Sequence, residues 1–171
     1  MPPTWESAER AAQEILGTVW LRDPSEIRLP VDPFFIAREL GLAVYVSQLD
    51  HGVSGMLVKR AGYDDPEIYL NRRDSRNRQR FTCAHELGHY VKRSASSDLG
   101  EVWEYVDRRD TLASLGKEPQ EIYANQFAAS LLMPRDLVKR FKGEYGVAAL
   151  AYEFGVSADA MSFRLANLRL R

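Results

Sequence analysis

Two of the three histidines in this 171-residue chain stand four positions apart, with a glutamate directly after the first: His85-Glu86-Leu87-Gly88-His89. This spacing constrains the fold more than any other feature. Residues four apart lie one above the other on an α-helix, so both imidazoles aim at a single spot. Converging imidazoles suit a divalent cation such as Zn²⁺, which takes imidazole nitrogen at about 2.0–2.1 Å. From its position beside the first histidine, the Glu86 carboxylate can reach a water at that spot without being a ligand. The expectation is a helix buried against a second element that supplies a third ligand, since catalytic zinc sites combine three protein ligands with one open position.

Two residues qualify as that third ligand. His51 is one. Glu121 is the stronger, because it opens the helical segment Glu121-Ile122-Tyr123-Ala124-Asn125-Gln126-Phe127, which runs on to Pro134. Glu121 and Asn125 are four apart and share a face. Asn125 is then placed to hydrogen-bond a ligating histidine and fix its tautomer. Taken alone, Glu121 reads as an acid favoured by the helix dipole.

The rest of the chain supplies the frame. Apolar residues at helical spacing predict a helix from Trp5 to Leu21 and another from Val31 to Leu40, with Asp32 as N-cap and Pro33 in the first turn. Pro24 and Pro30 bracket the connector between them. Leu42–Val46, Val53–Arg60 and Glu67–Leu70 read as three short strands, with turns at His51-Gly52 and Ala61-Gly62. Ser75 to about Arg93 is the motif helix. Residues 98–121 hold seven acids against three bases and read as a loop-rich insertion with one short helix around Trp103. Helices follow at Pro119–Met133, Pro134–Lys142, Gly146–Phe154 and Ser157–Leu168, the last capped by Ser157. Helices, a three-stranded meander, then helices make an α+β arrangement. The expected division is 1–134 for the unit carrying the motif and 135–171 for a C-terminal helical subdomain.

Composition excludes several classes. A hydrophobic fraction of 45% rules out intrinsic disorder, and a net charge of −1 rules out a strongly basic nucleic-acid binder. One cysteine excludes a disulfide framework. No apolar run approaches the roughly 20 residues needed to span a bilayer. Residues 1–6 carry neither a basic nor an apolar signal segment, so the expected location is the cytoplasm.

Weaker signals are read conservatively. Cys83 is taken as a small buried hydrophobe. Arg72, Arg73, Arg76, Arg78 and Arg80 with Asp74 give net +4 over ten residues, taken as a solvated helix start rather than a grip on an acidic substrate. The strand Val53–Arg60 is expected to edge the cleft, its Gly52 and Gly55 allowing close backbone approach. His51, Tyr63, Tyr90, Tyr105 and Tyr123 are open candidates for oxyanion donor. The stretch Ala149–Ser157 with Arg164-Leu165 resembles a helix-turn-helix, with Gly155 at the turn. Residues 135–171 carry seven bases and four acids, a weak positive balance for a DNA reader, so the unit is expected to pack or to dock a substrate rather than to read DNA.

Four blocks together resemble the ImmA/IrrE metallopeptidases: Val31-Asp32-Pro33 through Leu40-Gly41; Ser54-Gly55-Met56-Leu57 with Ile68-Tyr69-Leu70-Asn71; Arg78-Gln79-Arg80-Phe81-Thr82 leading into Ala84-His85-Glu86-Leu87-Gly88-His89; and Glu121 through Pro134. The resemblance implies a zincin-like core with one zinc ion on His85, His89 and Glu121 and with Glu86 as general base. It also implies a zinc endopeptidase that cleaves a helix-turn-helix (XRE-type) repressor and so releases transcription. The alternative is a toxin–antitoxin or transcription partner that binds a repressor or DNA without cutting.

Overall fold

The computed structural model describes residues 4–21, 28–63, 65–95, 102–108 and 118–170. Its elements, in chain order, are α1 (Thr4–Ile15), α2 (Pro33–Glu39), β1 (Ala43–Ser47), β2 (Val53–Lys59), β3 (Glu67–Asn71), α3 (Arg76–Ser94), β4 (Trp103–Arg108), α4 (Pro119–Leu132), α5 (Arg135–Lys142), α6 (Val147–Phe154) and α7 (Ala158–Asn167). The fold is α+β. Among the described residues no helix is long and apolar enough to cross a membrane. Pro24, and residues 98–101 and 109–117 of the expected insertion, lie outside the described residues.

Helix starts follow the local chemistry. Asp32 accepts from the Phe34 and Phe35 amides ahead of α2. Ser75 accepts from Arg78 N ahead of α3, and Ser157 from Ala160 N ahead of α7. Such caps contribute about 1 kcal/mol each. After Ile15 the first helix rewinds into a wider π-type turn over Leu16–Trp20, closed by Leu21 N donating to Leu16 O at 2.8 Å.

The sheet differs from the expected three-stranded meander. It has four strands in the order β1-β3-β2-β4. β2 and β3 form an antiparallel hairpin across the Ala61-Gly62 turn, while β1 pairs with β3 in parallel. A hairpin leaves the outer edge of β3 open, and β1 fills it. The fourth strand is the segment around Trp103, expected to be a short helix. It pairs antiparallel with β2, so β2 is interior and does not edge the cleft; β4 and β1 are the edges.

The core lies between one sheet face and the helices. Gly55 and Leu57 on β2 stand opposite Leu70 and Ile68 on β3, and this face is covered by α3. A Cβ at Gly55 would collide with the Thr82 methyl of α3, so glycine lets sheet and helix approach. Gly52 has open space around it; its φ of +89° is what the turn requires. α4 packs against both α3 and α1, and buries Phe127, Ala128, Leu131 and Leu132 between them.

The C-terminal helices are held by buried arginines. Arg80, only 6% exposed, donates to the carbonyls of Gly155, Val31 and Phe154. Asn77 donates to Val156 O. The basic run is therefore not simply a solvated helix start, since its fifth arginine clamps the α6–α7 corner. At that corner Gly155 adopts a left-handed conformation, φ +62°. Arg164 donates to Met133 O and, with Arg135, to the Glu9 carboxylate.

Candidate metal centre

α3 and α4 run antiparallel and approach closely. A Cβ at Gly88 would meet Ala124 Cα at 2.8 Å and Phe127 Cβ at 3.2 Å. Glycine inside the motif is thus a packing requirement. With the helices this close, the face carrying His85 and His89 meets the face carrying Glu121 and Asn125.

His85 Nε2 lies 3.0 Å from His89 Nε2. Glu121 bridges them, with Oε2 at 3.2 Å from His85 Nε2 and Oε1 at 3.3 Å from His89 Nε2. Both histidines are buried, whereas the Glu121 side chain keeps 30% exposure, so the centre is open on the Glu121 side. Glu86, on the same turn as His85, is fully buried.

The tautomer follows from Asn125. Its Oδ1 sits 3.0 Å from His85 Nδ1, so Nδ1 carries the hydrogen and, in the neutral ring, Nε2 turns its lone pair inward. Nε2 of His85, Nε2 of His89 and the Glu121 carboxylate then face one another. Positive charge among them, a proton or a cation, keeps the carboxylate ionised: its contacts with His85 and His89 hold the Glu121 carboxyl far below the usual carboxylate range, against the opposing effect of burial.

These residues fit a zinc ion. Ligands about 2.05 Å from a tetrahedral centre stand about 3.3 Å from one another; the two Nε2 atoms are 3.0 Å apart, and each lies 3.2–3.3 Å from a different oxygen of the Glu121 carboxylate. The three residues form a group able to hold a metal ion.

Surrounding side chains fix the ligands. The Tyr105 ring of β4 stacks on His89 with centroids 4.7 Å apart, and its hydroxyl accepts from Arg93 Nη1. Sequence reasoning raised Tyr105 only as one of several oxyanion candidates. Its place against His89 depends on β4, whose Trp103-Glu-Tyr105 alternation was the available signal. Of the other candidates, His51 is exposed in the turn before β2 and is not part of the cluster; Tyr63 is exposed, and Tyr123 is buried on α4. Cys83 is completely buried and its thiol is pushed up by burial, as expected of an inert core residue.

Comparison with known proteins places the chain. The family model for the IrrE N-terminal-like domain, Peptidase_M78, matches residues 36–166. The radiation response metalloprotease IrrE of Deinococcus deserti is 33% identical over 136 residues, covering 70% of this chain and 46% of that protein. A solved structure described as a Mycobacterium tuberculosis transcriptional regulator superposes with a TM-score of 0.58 at 17% identity, over 97% of this chain and 47% of that one; the likeness concerns the fold alone. The chain spans about half the length of these relatives.

Proposed function

This chain belongs to the IrrE N-terminal-like family of peptidases, and on that premise we propose that it is a zinc-dependent endopeptidase performing limited proteolysis of a helix-turn-helix (XRE-type) repressor in the cytoplasm. The observation that carries this reading is the convergence of His85, His89 and Glu121 within metal-ligating reach of one another, with Glu86 one residue along the same helix as His85. In this reading residues 1–134 are a zincin-like unit and residues 135–171 a helix-turn-helix-like subdomain packed against it. DNA binding by that subdomain is not favoured.

His85, His89 and Glu121 would hold the ion. Zinc, when bound, supplies Lewis acidity toward the scissile carbonyl and toward water. Asn125 holds His85 with Nε2 directed toward His89 and Glu121. Tyr105 fixes the His89 ring plane. Glu86 accepts a proton from the attacking water and delivers it to the departing amine nitrogen. Its burial keeps bulk water from competing for that proton.

The test is incubation of the zinc-loaded chain with a small helix-turn-helix repressor encoded beside it. The expected result is one discrete, chelator-sensitive cut, slowed about 10²–10⁴-fold by Glu86→Gln while zinc remains bound. A stable complex formed without cutting and indifferent to chelator supports the non-cleaving alternative.

A further inference from the structure

Addition of water to a peptide carbonyl leaves negative charge on the carbonyl oxygen, and a fixed hydrogen-bond donor aimed at that oxygen lowers the barrier. We infer that the hydroxyl of Tyr105, on β4, is this donor. The inference rests on the peptidase reading above and adds a catalytic residue to it.

Position is the first argument. Of the five residues open as oxyanion donors from the sequence, Tyr105 is the one whose ring stacks on a histidine of the centre, His89, with 4.7 Å between centroids and 14° between planes. Tyr123 stacks on Phe127 instead, and His51 and Tyr63 are exposed. Tyr90 follows His89 directly and so points about 100° away around the helix. Tyr105 stands opposite Leu57, on the sheet face that α3 covers. It is half-buried on an edge strand, so its hydroxyl lies at the rim of the centre rather than in the core.

Polarity is the second. Tyr105 Oη accepts from Arg93 Nη1 at 3.4 Å. Arg93 is one turn past His89 on α3, and helical side chains lean toward the N-terminus, so the guanidinium leans back over the His89 turn. It also lies over the Trp103 ring, 5.1 Å from the centroid. The bond from Arg93 occupies the oxygen and leaves the hydroxyl hydrogen to be given elsewhere. Among the described residues that hydrogen meets no acceptor. A bond accepted from a cation polarises the O–H group and strengthens it as a donor.

The step balances. The water oxygen bonds to the carbonyl carbon as Glu86 takes the water proton, and the C=O π pair moves onto oxygen. Tyr105 holds that oxygen by a hydrogen bond and keeps its own proton. When the pair returns, the C–N bond breaks and the proton on Glu86 passes to the departing amine nitrogen.

Tyr105→Phe tests the assignment, because it keeps the ring on His89 and removes one hydroxyl. Two readouts are taken on the zinc-loaded chain: cutting of the repressor, and calorimetric binding of an N-phosphoryl leucyl peptide, whose tetrahedral anion resembles the oxyanion. The expected result is unchanged zinc content and KM, a kcat lower by about 10²–10³-fold, and phosphoryl-peptide binding weakened by a similar factor. Weaker phosphoryl-peptide binding by the variant, with no cutting by the parent chain, contradicts the peptidase reading but upholds the donor. Equal phosphoryl-peptide binding by parent and variant, absence from both included, overturns the donor whatever the cutting does. So does loss of zinc from Tyr105→Phe, which makes the hydroxyl a structural support of His89.

Discussion

The Glu9–Arg135–Arg164 cluster and the His85–His89–Glu121 cluster are both buried or half-buried ionisable groups that tie α4 or its neighbours to another helix. In the first, Arg135 grips both Glu9 oxygens at 2.9 and 3.0 Å and Arg164 adds a third bond at 3.2 Å. Donors meet acceptors, and the group is complete in itself. In the second, three groups able to ligate a cation converge, and Asn125 orients His85 with Nε2 toward the other two. One arrangement closes a fold; the other is preorganised for a cation. Burial and charge alone do not separate them, but the sign of the donor set does.

The comparison breaks or sharpens in four experiments. The largest effect is zinc linkage: at a free zinc concentration a thousand times its dissociation constant, stability rises by about 4 kcal/mol. Calorimetry should register this as a higher Tm that His89→Ala abolishes. Next, Glu9→Leu leaves Arg164, 4% exposed, buried without its carboxylate and lowers unfolding free energy by about 3 kcal/mol. That loss is expected with zinc or without it in a urea titration. Asn125→Ala releases the His85 tautomer and weakens zinc binding about 10–100-fold, measured by competition with a chelating dye, while leaving the Glu9 cluster untouched. The smallest effect is on pH dependence. Hydrogen bonds from Arg135 lower the Glu9 pKa below its ordinary 4.5. Glu9's contribution is therefore complete above that value and is lost as pH falls through the depressed one. The urea midpoint of Glu9→Gln should fall less steeply below pH 4.5 than that of the parent chain.

Legibility in the sequence followed the range of the interactions. Seven helices and three strands were readable because their periodicity and caps are local: Asp32, Ser75 and Ser157 stand where the helices begin. The meeting of Glu121 with the two histidines was readable too, since i to i+4 spacing on two helices fixes which faces can converge. Strand β4 was not. Its six residues sit among acids, and pairing with β2, some fifty positions away, is what makes them extended. The same blindness to long-range pairing turned a mixed sheet into a meander and made β2 an edge. Arg80 was misjudged because a run of arginines says nothing about which one meets the carbonyls of a distant corner.

The central claim is that His85, His89 and Glu121 together hold one metal ion. Zinc content per chain after exhaustive dialysis, for the parent and for His89→Ala, Glu121→Ala and His51→Ala, tests it most directly. The account predicts one zinc in the parent and in His51→Ala, and none in His89→Ala or Glu121→Ala. Full zinc occupancy in Glu121→Ala, or none in the parent chain, would contradict it.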